Sequence, residues 1–235
     1  MKSTRRGWHE GDEKLFSEEE MEKLSLCAYE AAFLLERGYP LKSAVTVTGD
    51  RRLLSRRQRI ALGRMTTCPS RKNLRKSKEL EALDPGCTVH IDAFNAVIIM
   101  ETALSHSLLL RCMDGCIRDL SGLAGNYSII TVTGEAIDRI IGKLKQHGVA
   151  KGVFHLDAPI SNSGRLLSLI ADEAEKLEFP IDFVMARDAD YLLKQDDHVI
   201  SADSEVIEAC QSWYNLYSEL VEEVPDPWIV ELNPH

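Results

Sequence analysis

The stretch Thr88-Val89-His90-Ile91-Asp92-Ala93-Phe94-Asn95 decides how the rest of the sequence is interpreted. Its first five residues are mostly β-branched or apolar, which favours a β-strand that ends in an aspartate. The residues from Asn95 to Ser105 have a helical pattern, so the strand leads directly into a helix. A strand that turns at once into a helix is the repeating unit of α/β folds.

The same order of strand and helix recurs toward the C-terminus. Residues 153–157, 181–185 and 198–203 predict three further strands, and a predicted helix follows each of them. This alternation predicts an α/β fold with a parallel sheet of about four to five strands and helices on both faces. Residues 228–232 are a candidate edge strand, whereas residues 108–127 are ambiguous, with a strand at 108–110 and a helix at 112–120 as one interpretation.

The first eighty residues have a different character. Ser17 and Glu20 form a capping-box pattern at the start of a helix that extends to Gly38, and residues 55–65 predict a second helix. Between them, residues 44–48 form a short β-like run, and residues 71–78 resemble a linker or an exposed arm. We therefore divide the chain into a mainly helical, basic N-terminal region with a linker (1–80) and an α/β domain (81–235).

Charge is distributed unevenly along the chain, whose net charge is −9. Residues 51–78 contain eleven Lys and Arg and no acid, whereas residues 79–235 contain 27 acids and ten Lys and Arg. The basic segment predicts an anionic partner, and the acidic region predicts bound cations. No apolar run approaches the ~18 residues of a membrane helix, and no signal-peptide core is present, so we expect a cytoplasmic protein without a membrane partner.

The cysteines and the absence of phosphate-binding motifs argue against two kinds of protein. The six cysteines are scattered and include no CxxC pair, which argues against a zinc knuckle or a disulfide framework. Neither GxGxxG nor GxxxxGK[ST] occurs, which argues against the common nucleotide-binding loops.

Aspartates mark the C-terminal ends of all four predicted strands, namely Asp92, Asp157, Asp188 or Asp190, and Asp203. Right-handed crossovers bring the C-terminal ends of parallel strands to one edge of the sheet, where ligands bind in such folds. Crowded carboxylates repel unless cations or protons compensate, and hard oxygen ligands suit Mg²⁺ or Mn²⁺. Because aspartate is also a common helix N-cap, the alternative is that these residues only cap helices.

Two segments resemble the NYN and PIN-like ribonuclease domains. Residues 90–95 resemble the D-x-x-N motif of their first strand, and residues 187–193 with 199–203 resemble their later acidic helix start and strand ending in S-x-D. Most of the chain is also similar to uncharacterised prokaryotic, mainly archaeal, proteins with domains of unknown function. In those proteins a helical region with an R-G-Y-P motif, here residues 37–40, precedes a PIN-like domain. The resemblance implies a PIN-like fold and, by analogy, nuclease activity.

The resemblance also implies roles for individual residues. Asp92 would be the central metal ligand, and Asn95 would orient it or bind the scissile phosphate. PIN-like sites often add an acid from the helix between the first two strands, a role that Asp119 or Asp114 would fill here, with Glu101 as the rival. The implied catalytic residues are Asp92, Asn95, Asp188, Asp190 and Asp203, and the implied metal ligands are Asp92, Asp119, Asp157, Asp190 and Asp203.

Several other polar residues are candidates for phosphate or nucleic-acid binding. The segment Ser161-Asn162-Ser163-Gly164-Arg165 opens a helix directly after a strand, so its free N–H groups and its arginine could hold a phosphate; an ordinary helix start is the alternative. Arginines near the predicted edge or in the basic segment could bind the nucleic-acid backbone or neutralise acids. They are Arg111, Arg118, Arg187, Arg56, Arg57 and Arg59. Strand alternation points His90 and His155 to the same side as Asp92 and Asp157, where burial is the simpler role.

These observations lead to one expected function and two alternatives. We expect a ribonuclease that uses Mg²⁺ or Mn²⁺ to hydrolyse phosphodiester bonds in RNA, and a homo-oligomer is compatible with the sequence. One alternative is a non-catalytic nucleic-acid-binding or assembly module. The other is a metal-dependent phosphohydrolase that acts on a small phosphate ester.

Overall fold

Two β-sheets organise the molecule, which this computed structural model describes over residues 5–122 and 125–233. The strands are β1 (Thr88–Asp92), β2 (Leu109–Arg111), β3 (Ile117–Asp119), β4 (Lys151–Asp157), β5 (Ile181–Ala186), β6 (Val199–Ile200) and β7 (Ile229–Glu231). The helices are α1 (Asp12–Leu15), α2 (Glu18–Glu36), α3 (Leu41–Arg51), α4 (Arg56–Met65), α5 (Pro69–Lys78), α6 (Ala93–Leu104), α7 (Thr133–Gln146), α8 (Ser163–Lys176), α9 (Ala189–Leu193), α10 (Ser204–Ala209) and α11 (Leu216–Glu222).

The larger sheet has four strands in the order β5-β4-β1-β6, and every neighbouring pair is parallel. The predicted α/β fold with a parallel sheet is therefore confirmed, as is a helical region before it. In the register of the central pair, Asp92 at the end of β1 lies beside His155 of β4. All four strands consequently end at one edge.

The order of the strands creates a switch point between β1 and β6. From β1 the chain moves outward to β4 and β5, and it then returns to place β6 on the other side of β1. Because such crossovers are right-handed, α6 to α8 lie on one face of the sheet and α9 lies on the other. In agreement, Asp157 Oδ1 accepts a hydrogen bond from Ala189 N at 2.8 Å. Ligands of doubly wound sheets bind where the strand order reverses in this way.

Strand β1 shows how the sequence determines the two faces. Val89 and Ile91 are fully buried, whereas His90 and Asp92 alternate with them on the opposite face and are partly accessible. Helix α6, which follows, is buried on nearly all sides because it packs against the sheet, α7 and α11. A helix that is apolar all round belongs in the centre of a fold. The rigid β1–α6 junction is therefore a firm support for Asp92.

The smaller sheet connects the N-terminal helices to the rest of the chain. Its order is β3-β2-β7, in which β2 is antiparallel to β3 and parallel to β7. Leu108, which directly precedes β2, and Leu110 of β2 share a buried cluster with Met21, Leu24 and Leu62 from α2 and α4. The helices before residue 80 thus complete their core with strands from after residue 80.

Two sequence predictions in the N-terminal region were wrong. Residues 44–48, expected as a β-like run, belong to helix α3, since Ala44 and Thr48 are buried one helical turn apart while Val47 is exposed. Tertiary packing against α2 overrides the local β preference of Val45 and Thr46. Residues 71–78, expected as a linker or arm, belong to α5, whose first residue is a proline.

Smaller corrections concern caps and short strands. The expected helix at 112–120 is a turn followed by β3, and Gly115 (φ +86°) supplies the left-handed conformation that the turn requires. Ser17 precedes α2 but makes no side-chain cap, whereas Ser55 and Gln58 form a complete capping box on α4. The candidate strand at 228–232 is confirmed as β7, although it joins the smaller sheet.

The helices of the described chain differ in length and polarity. The 19-residue helix α2 begins with three glutamates, and the more apolar α6 has only 12 residues. Within residues 5–122 and 125–233, no helix combines the length and the apolar composition that crossing a bilayer requires.

Candidate active site at the edge of the parallel sheet

Asp92 occupies the junction between β1 and α6. Its Oδ1 accepts a hydrogen bond from Asn95 N (3.1 Å) and thereby caps the helix, while its Oδ2 accepts one from Ser201 Oγ (3.2 Å) at the end of β6. A strand end, a helix start and a neighbouring strand thus fix the orientation of this carboxyl group.

The electrostatic environment of Asp92 is unfavourable for a carboxylate. Burial, followed by the negative charges of Asp190 and Asp203, raises its pKa to about 8, against an ordinary value of 3.8. The hydrogen bonds from Asn95 N and Ser201 Oγ act in the opposite direction but do not prevail. In the absence of a cation, Asp92 is therefore mostly protonated at neutral pH.

Asp190 lies in the first turn of α9 and faces the same place. Its pKa is raised to about 6 by burial and then by the charges of Asp203, Asp157 and Asp188. Asp188 itself is exposed and caps α9 by accepting a hydrogen bond from Tyr191 N at 2.9 Å. Acids from β4, α9 and the segment after β6 therefore lie near one another and line one cavity.

Asp203 caps α10 and still keeps an oxygen for another role. Its Oδ1 accepts hydrogen bonds from Glu205 N (2.8 Å) and Val206 N (3.1 Å). The N-cap interpretation therefore holds for Asp92, Asp188 and Asp203. Because the caps of Asp188 and Asp203 use only Oδ1, the second oxygen of each can coordinate a cation, and the two roles are compatible.

Asn95 links α6 to β6 from within the same site. Its carboxamide oxygen accepts a hydrogen bond from Ala202 N at 2.8 Å. Since the oxygen is used in this way, the amide NH₂ is the group that can donate into the adjacent cavity. Asn95 therefore has a fixed orientation and is suited to bind an anionic oxygen.

A cavity of about 470 Å³ separates the sheet edge from the N-terminal helices. This volume is in the range of ligand pockets. Its acidic floor comprises Asp92, Asp157, Asp190 and Asp203, with Asn95 beside them. The lining also includes four arginines, which are Arg64, Arg71, Arg75 and Arg118.

The four arginines differ in how far they are already neutralised. Arg118 is buried and binds Asp114 through two hydrogen bonds of 2.7 and 3.0 Å, and Arg75 is buried between Asp114 and Glu208. Arg71 is different, because its side chain is 60% exposed and its nearest acid, Glu208, is 3.9 Å away. Arg64 is 32% exposed and donates to the backbone carbonyl of Asp119. Arg64 and Arg71 are therefore the cations best placed to meet an anion.

Of the three acids considered as a further ligand, only Asp119 lines the cavity. It belongs to β3, its Oδ1 accepts a hydrogen bond from Ser121 N (2.6 Å), and it lies 3.6 Å from Arg64. Glu101 is buried in a separate network of hydrogen bonds, and Asp114 is held by arginines.

The 161–165 segment lies beside the site but does not face the cavity with its polar groups. Ser161 Oγ donates to Tyr127 O (3.1 Å) and accepts from Tyr127 N (3.0 Å), and the Asn162 side chain also donates to Tyr127 O (2.7 Å). Ser163 is buried, whereas Arg165 and Arg187 are exposed outside the cavity lining. The segment therefore holds the loop around Tyr127 in place.

The arginines predicted on α4 are also outside the cavity lining. Arg57 pairs with Asp12, Arg59 pairs with Asp50 at 2.6 Å, and Arg56 is exposed. Sequence reasoning missed Arg64 and Arg71, which lie in the same basic segment. It also missed Ser201, although this serine is part of the S-x-D sequence singled out above.

The carboxylate oxygens of the acidic cluster are widely spaced. Among residues 5–122 and 125–233, no three of these carboxylates bring their oxygens within 4.8 Å of one another. An open oxygen cluster suits Mg²⁺ or Mn²⁺, since Mg²⁺ retains several waters and takes only one or two carboxylates directly.

The fold and the site define a class: a doubly wound α/β protein with an acidic cleft at the switch point of its sheet. Residues 81–219 match the family described as "Domain of unknown function (DUF5616)", and the chain belongs to this family. Residues 23–78 match the description "Protein of unknown function (DUF434)". The expectation of a family with domains of unknown function is thus confirmed.

One relative extends the comparison to an archaeon. The chain is 28% identical over 193 residues to an uncharacterized protein of Methanocaldococcus jannaschii, an alignment that covers 81% of this chain and 92% of that protein. No solved structure matches the chain.

Proposed function

We propose that this protein is a divalent-metal-dependent ribonuclease with a PIN-like catalytic domain. One observation carries the proposal: Asp92 lies at the switch point with a pKa raised to about 8 by burial and by the charges of Asp190 and Asp203. Strongly perturbed carboxyl groups in a cleft are typical of functional sites. A cation between these acids would remove the repulsion that now favours the protonated form.

The residues of the cleft divide into two groups under this proposal. Asp92, Asp190 and Asp203 would hold Mg²⁺ or Mn²⁺, with Asp157 and Asp119 at the margin. When bound, such an ion lowers the pKa of a coordinated water and neutralises charge that develops on a phosphodiester. Asn95 donates its amide NH₂ to a non-bridging phosphate oxygen and so orients the phosphate relative to the acids.

The arginines that line the cavity support a polyanionic substrate. Arg64 on α4 and Arg71 on α5 line the same cavity as the acids and can contact phosphates next to the reacting one. Contacts of this kind position a nucleic-acid backbone without reading its sequence. We therefore expect cleavage with little sequence preference.

The cavity favours a second candidate function as well. Its volume of about 470 Å³ matches a small ligand, and helices enclose it on one side. A metal-dependent phosphohydrolase that acts on a small phosphate ester would use the same acids. The two candidates differ in substrate length and are separable by experiment.

The test is incubation of the purified full chain with Mn²⁺ and end-labelled single-stranded RNA. Parallel reactions contain single-stranded DNA and a panel of nucleotides and small phosphate esters. We expect wild-type protein to shorten the RNA and Asp92→Asn to lose at least a hundredfold in rate. Asp172→Asn is the matched control, because Asp172 is an exposed aspartate on α8 outside the cavity lining.

The outcomes decide between the candidates. If wild-type protein with Mn²⁺ leaves both RNA and DNA intact, the nuclease proposal is wrong. If it releases phosphate from a small ester in an Asp92-dependent way but cuts no RNA, the phosphohydrolase replaces it. Equal loss in Asp92→Asn and Asp172→Asn would contradict a site at Asp92.

A further inference from the structure

A second group of metal-ligand side chains lies on the same face of the sheet, farther from its edge. His90 of β1, His155 of β4 and Asp196, which follows α9, bring their side chains together. His90 Nδ1 is 3.0 Å from His155 Nε2 and 3.2 Å from Asp196 Oδ2, and His155 Nε2 is 3.5 Å from Asp196 Oδ2. Within the described residues, this is the one trio of His, Cys, Asp or Glu whose ligand atoms all lie within 4.8 Å.

The three distances match one face of a tetrahedral coordination sphere. Zinc binds imidazole nitrogen and carboxylate oxygen at about 2.0–2.2 Å, so two ligand atoms of a tetrahedral site are about 3.3 Å apart. The observed separations of 3.0, 3.2 and 3.5 Å lie on both sides of this value. An ion can therefore enter with only small movements of the side chains.

Hydrogen bonding alone does not account for the arrangement. Asp196 Oδ2 is buried and has no hydrogen-bond partner among the described residues, although it faces both imidazoles. A buried carboxylate oxygen without a partner is unfavourable, and a coordinated cation would satisfy it. His155 is 3% exposed, so the imidazole that faces this oxygen is itself buried.

We propose that His90 Nδ1, His155 Nε2 and Asp196 Oδ2 form a binding site for one divalent transition-metal ion, with Zn²⁺ as the best match and water as the fourth ligand. Two imidazoles and one carboxylate suit zinc better than magnesium. The side chains of His90 and Asp196 are each 27% exposed, which leaves an opening for the water.

This site is separate from the acidic cleft and goes beyond the proposed nuclease function. The two histidines precede Asp92 and Asp157 by two residues, which corresponds to about 6–7 Å along a strand. An ion here would tie β1 and β4 to the chain segment that follows α9. Because α9 carries Asp190, the ion would also fix the position of one acid of the cleft.

The affinity of the site follows from its surroundings. A metal-bound imidazole ordinarily donates its other N–H to a second group, and loss of that group reduces affinity by roughly 10–100-fold. His155 Nδ1 is buried without a hydrogen-bond partner among the described residues. We therefore expect saturable binding that is weaker than in structural zinc sites with complete outer shells.

The test is titration of the metal-stripped full chain with Co²⁺, followed by visible absorption, and with Zn²⁺, followed by calorimetry. We expect one equivalent of metal at this site, identified by the intense d–d absorption of tetrahedral Co²⁺, in addition to any metal that the carboxylates of the acidic cleft bind. Asp196→Asn and His90→Gln should weaken binding at least tenfold. His147→Gln is the matched control, because His147 pairs with Glu219 in another part of the molecule. Circular dichroism and thermal unfolding establish that each variant is folded.

The results separate this proposal from the proposed function. Asp92→Asn should lose Mn²⁺-dependent cleavage of RNA but retain the Co²⁺ spectrum, whereas Asp196→Asn should lose the spectrum. An unchanged spectrum in folded Asp196→Asn, or no stoichiometric binding by wild-type protein, overturns the site. A strong sulfur-to-cobalt charge-transfer band would also overturn it, because that band assigns the metal to cysteine.

Discussion

Asp92 illustrates how a single residue can serve both structure and chemistry. One of its oxygens caps α6, and the other accepts a hydrogen bond from Ser201. These contacts hold the carboxyl group where the charges of Asp190 and Asp203 oppose its ionisation. A residue chosen only to cap a helix would gain by standing farther from other acids.

The raised pKa of Asp92 gives a prediction about stability and pH. Its pKa is about 8 in the folded protein and 3.8 ordinarily, so between these values the folded state binds more protons than the unfolded state. The free energy of unfolding of the metal-free protein should therefore fall as pH rises from about 4 to about 8. One pKa unit corresponds to about 1.4 kcal/mol, so we expect the contribution of Asp92 to exceed ~2 kcal/mol.

Urea unfolding at pH 5 and pH 8 measures this effect. Between pH 5 and pH 8, the free energy of unfolding should fall clearly less in Asp92→Asn than in wild-type protein. Asp190, whose pKa is about 6, still makes the stability of the variant depend on pH in the lower part of this range. Asp172→Asn should follow the wild type. Identical pH dependence of wild type and Asp92→Asn would show that Asp92 is not an uncompensated acid.

Two arginines of the basic segment, Arg71 and Arg56, give a prediction about RNA binding. Arg71 lines the cavity with an exposed side chain, whereas Arg56 is exposed outside the cavity lining. Arg71→Ala should weaken RNA binding severalfold and reduce the slope of log affinity against log salt by about 1, because one phosphate contact is lost. Arg56→Ala should change neither quantity, as measured by fluorescence anisotropy at several salt concentrations. Equal effects of the two variants would place the nucleic acid outside the cavity.

At the scale of the element, helix caps offer a direct comparison. Ser55 accepts a hydrogen bond from Gln58 N, and Gln58 Oε1 accepts one from Ser55 N, which closes the capping box of α4. We expect Ser55→Ala to reduce the free energy of unfolding by about 1 kcal/mol. Ser17→Ala should have almost no effect, since Ser17 makes no side-chain cap on α2. Denaturant unfolding of both variants checks this, and a larger loss in Ser17→Ala would contradict it.

The elements also show what the sequence can predict. Strands β1, β4 and β5 and helices α7 and α8 are long and strongly patterned, and the sequence predicted each of them. Helix α3 was missed because residues 45–48 are β-branched, so its helical state depends on packing against α2. Strand β3 was missed because three residues are too few for a periodic pattern to emerge.

Some residues of the candidate site could likewise be located from the sequence, and others could not. The acids could be located because each follows a predicted strand, and the topology of parallel sheets brings strand ends together. Arg64 and Arg71 could not be located, because their approach depends on how α4 and α5 dock against the sheet. Only part of the cluster of His90, His155 and Asp196 could be predicted from the sequence. Strand alternation places each histidine on the same side as the aspartate two residues later, but it does not give the position of Asp196 in the loop after α9.

At the scale of the whole molecule, buried ion pairs join the N-terminal helices to the α/β part. Arg75 of α5 binds Asp114, near the smaller sheet, and Glu208 of α10. Arg118 binds Asp114 from the other side, and the two arginines hold the pKa of Asp114 below its usual value although burial opposes this. Three parts of the chain thus meet at one network beside the cavity.

Removal of Arg75 should therefore destabilise the entire fold. In Arg75→Met, Glu208 loses its closest cation and Asp114 keeps only Arg118, so we expect a loss of about 3–5 kcal/mol. Lys76→Ala is the neighbouring control, because Lys76 is exposed and pairs with Glu79, a short-range contact within the same segment. Calorimetry of both variants measures the difference, and a loss below ~1 kcal/mol in Arg75→Met would show that the network relaxes without it.

The strand β7 has a consequence for how the protein is made. It pairs with β2 beneath the N-terminal helices, and Asn233 N donates to Ser25 Oγ across 208 positions of the chain. During synthesis, the apolar faces of α2 and α4 emerge from the ribosome long before the strand that helps to cover them. Contacts between segments that are distant in sequence slow folding. Until β7 is in place, the apolar faces of these helices stay exposed and are prone to aggregate. We therefore expect the core around α2 and α4 to be completed only once β7 has been synthesised, with a need for chaperones in the interval.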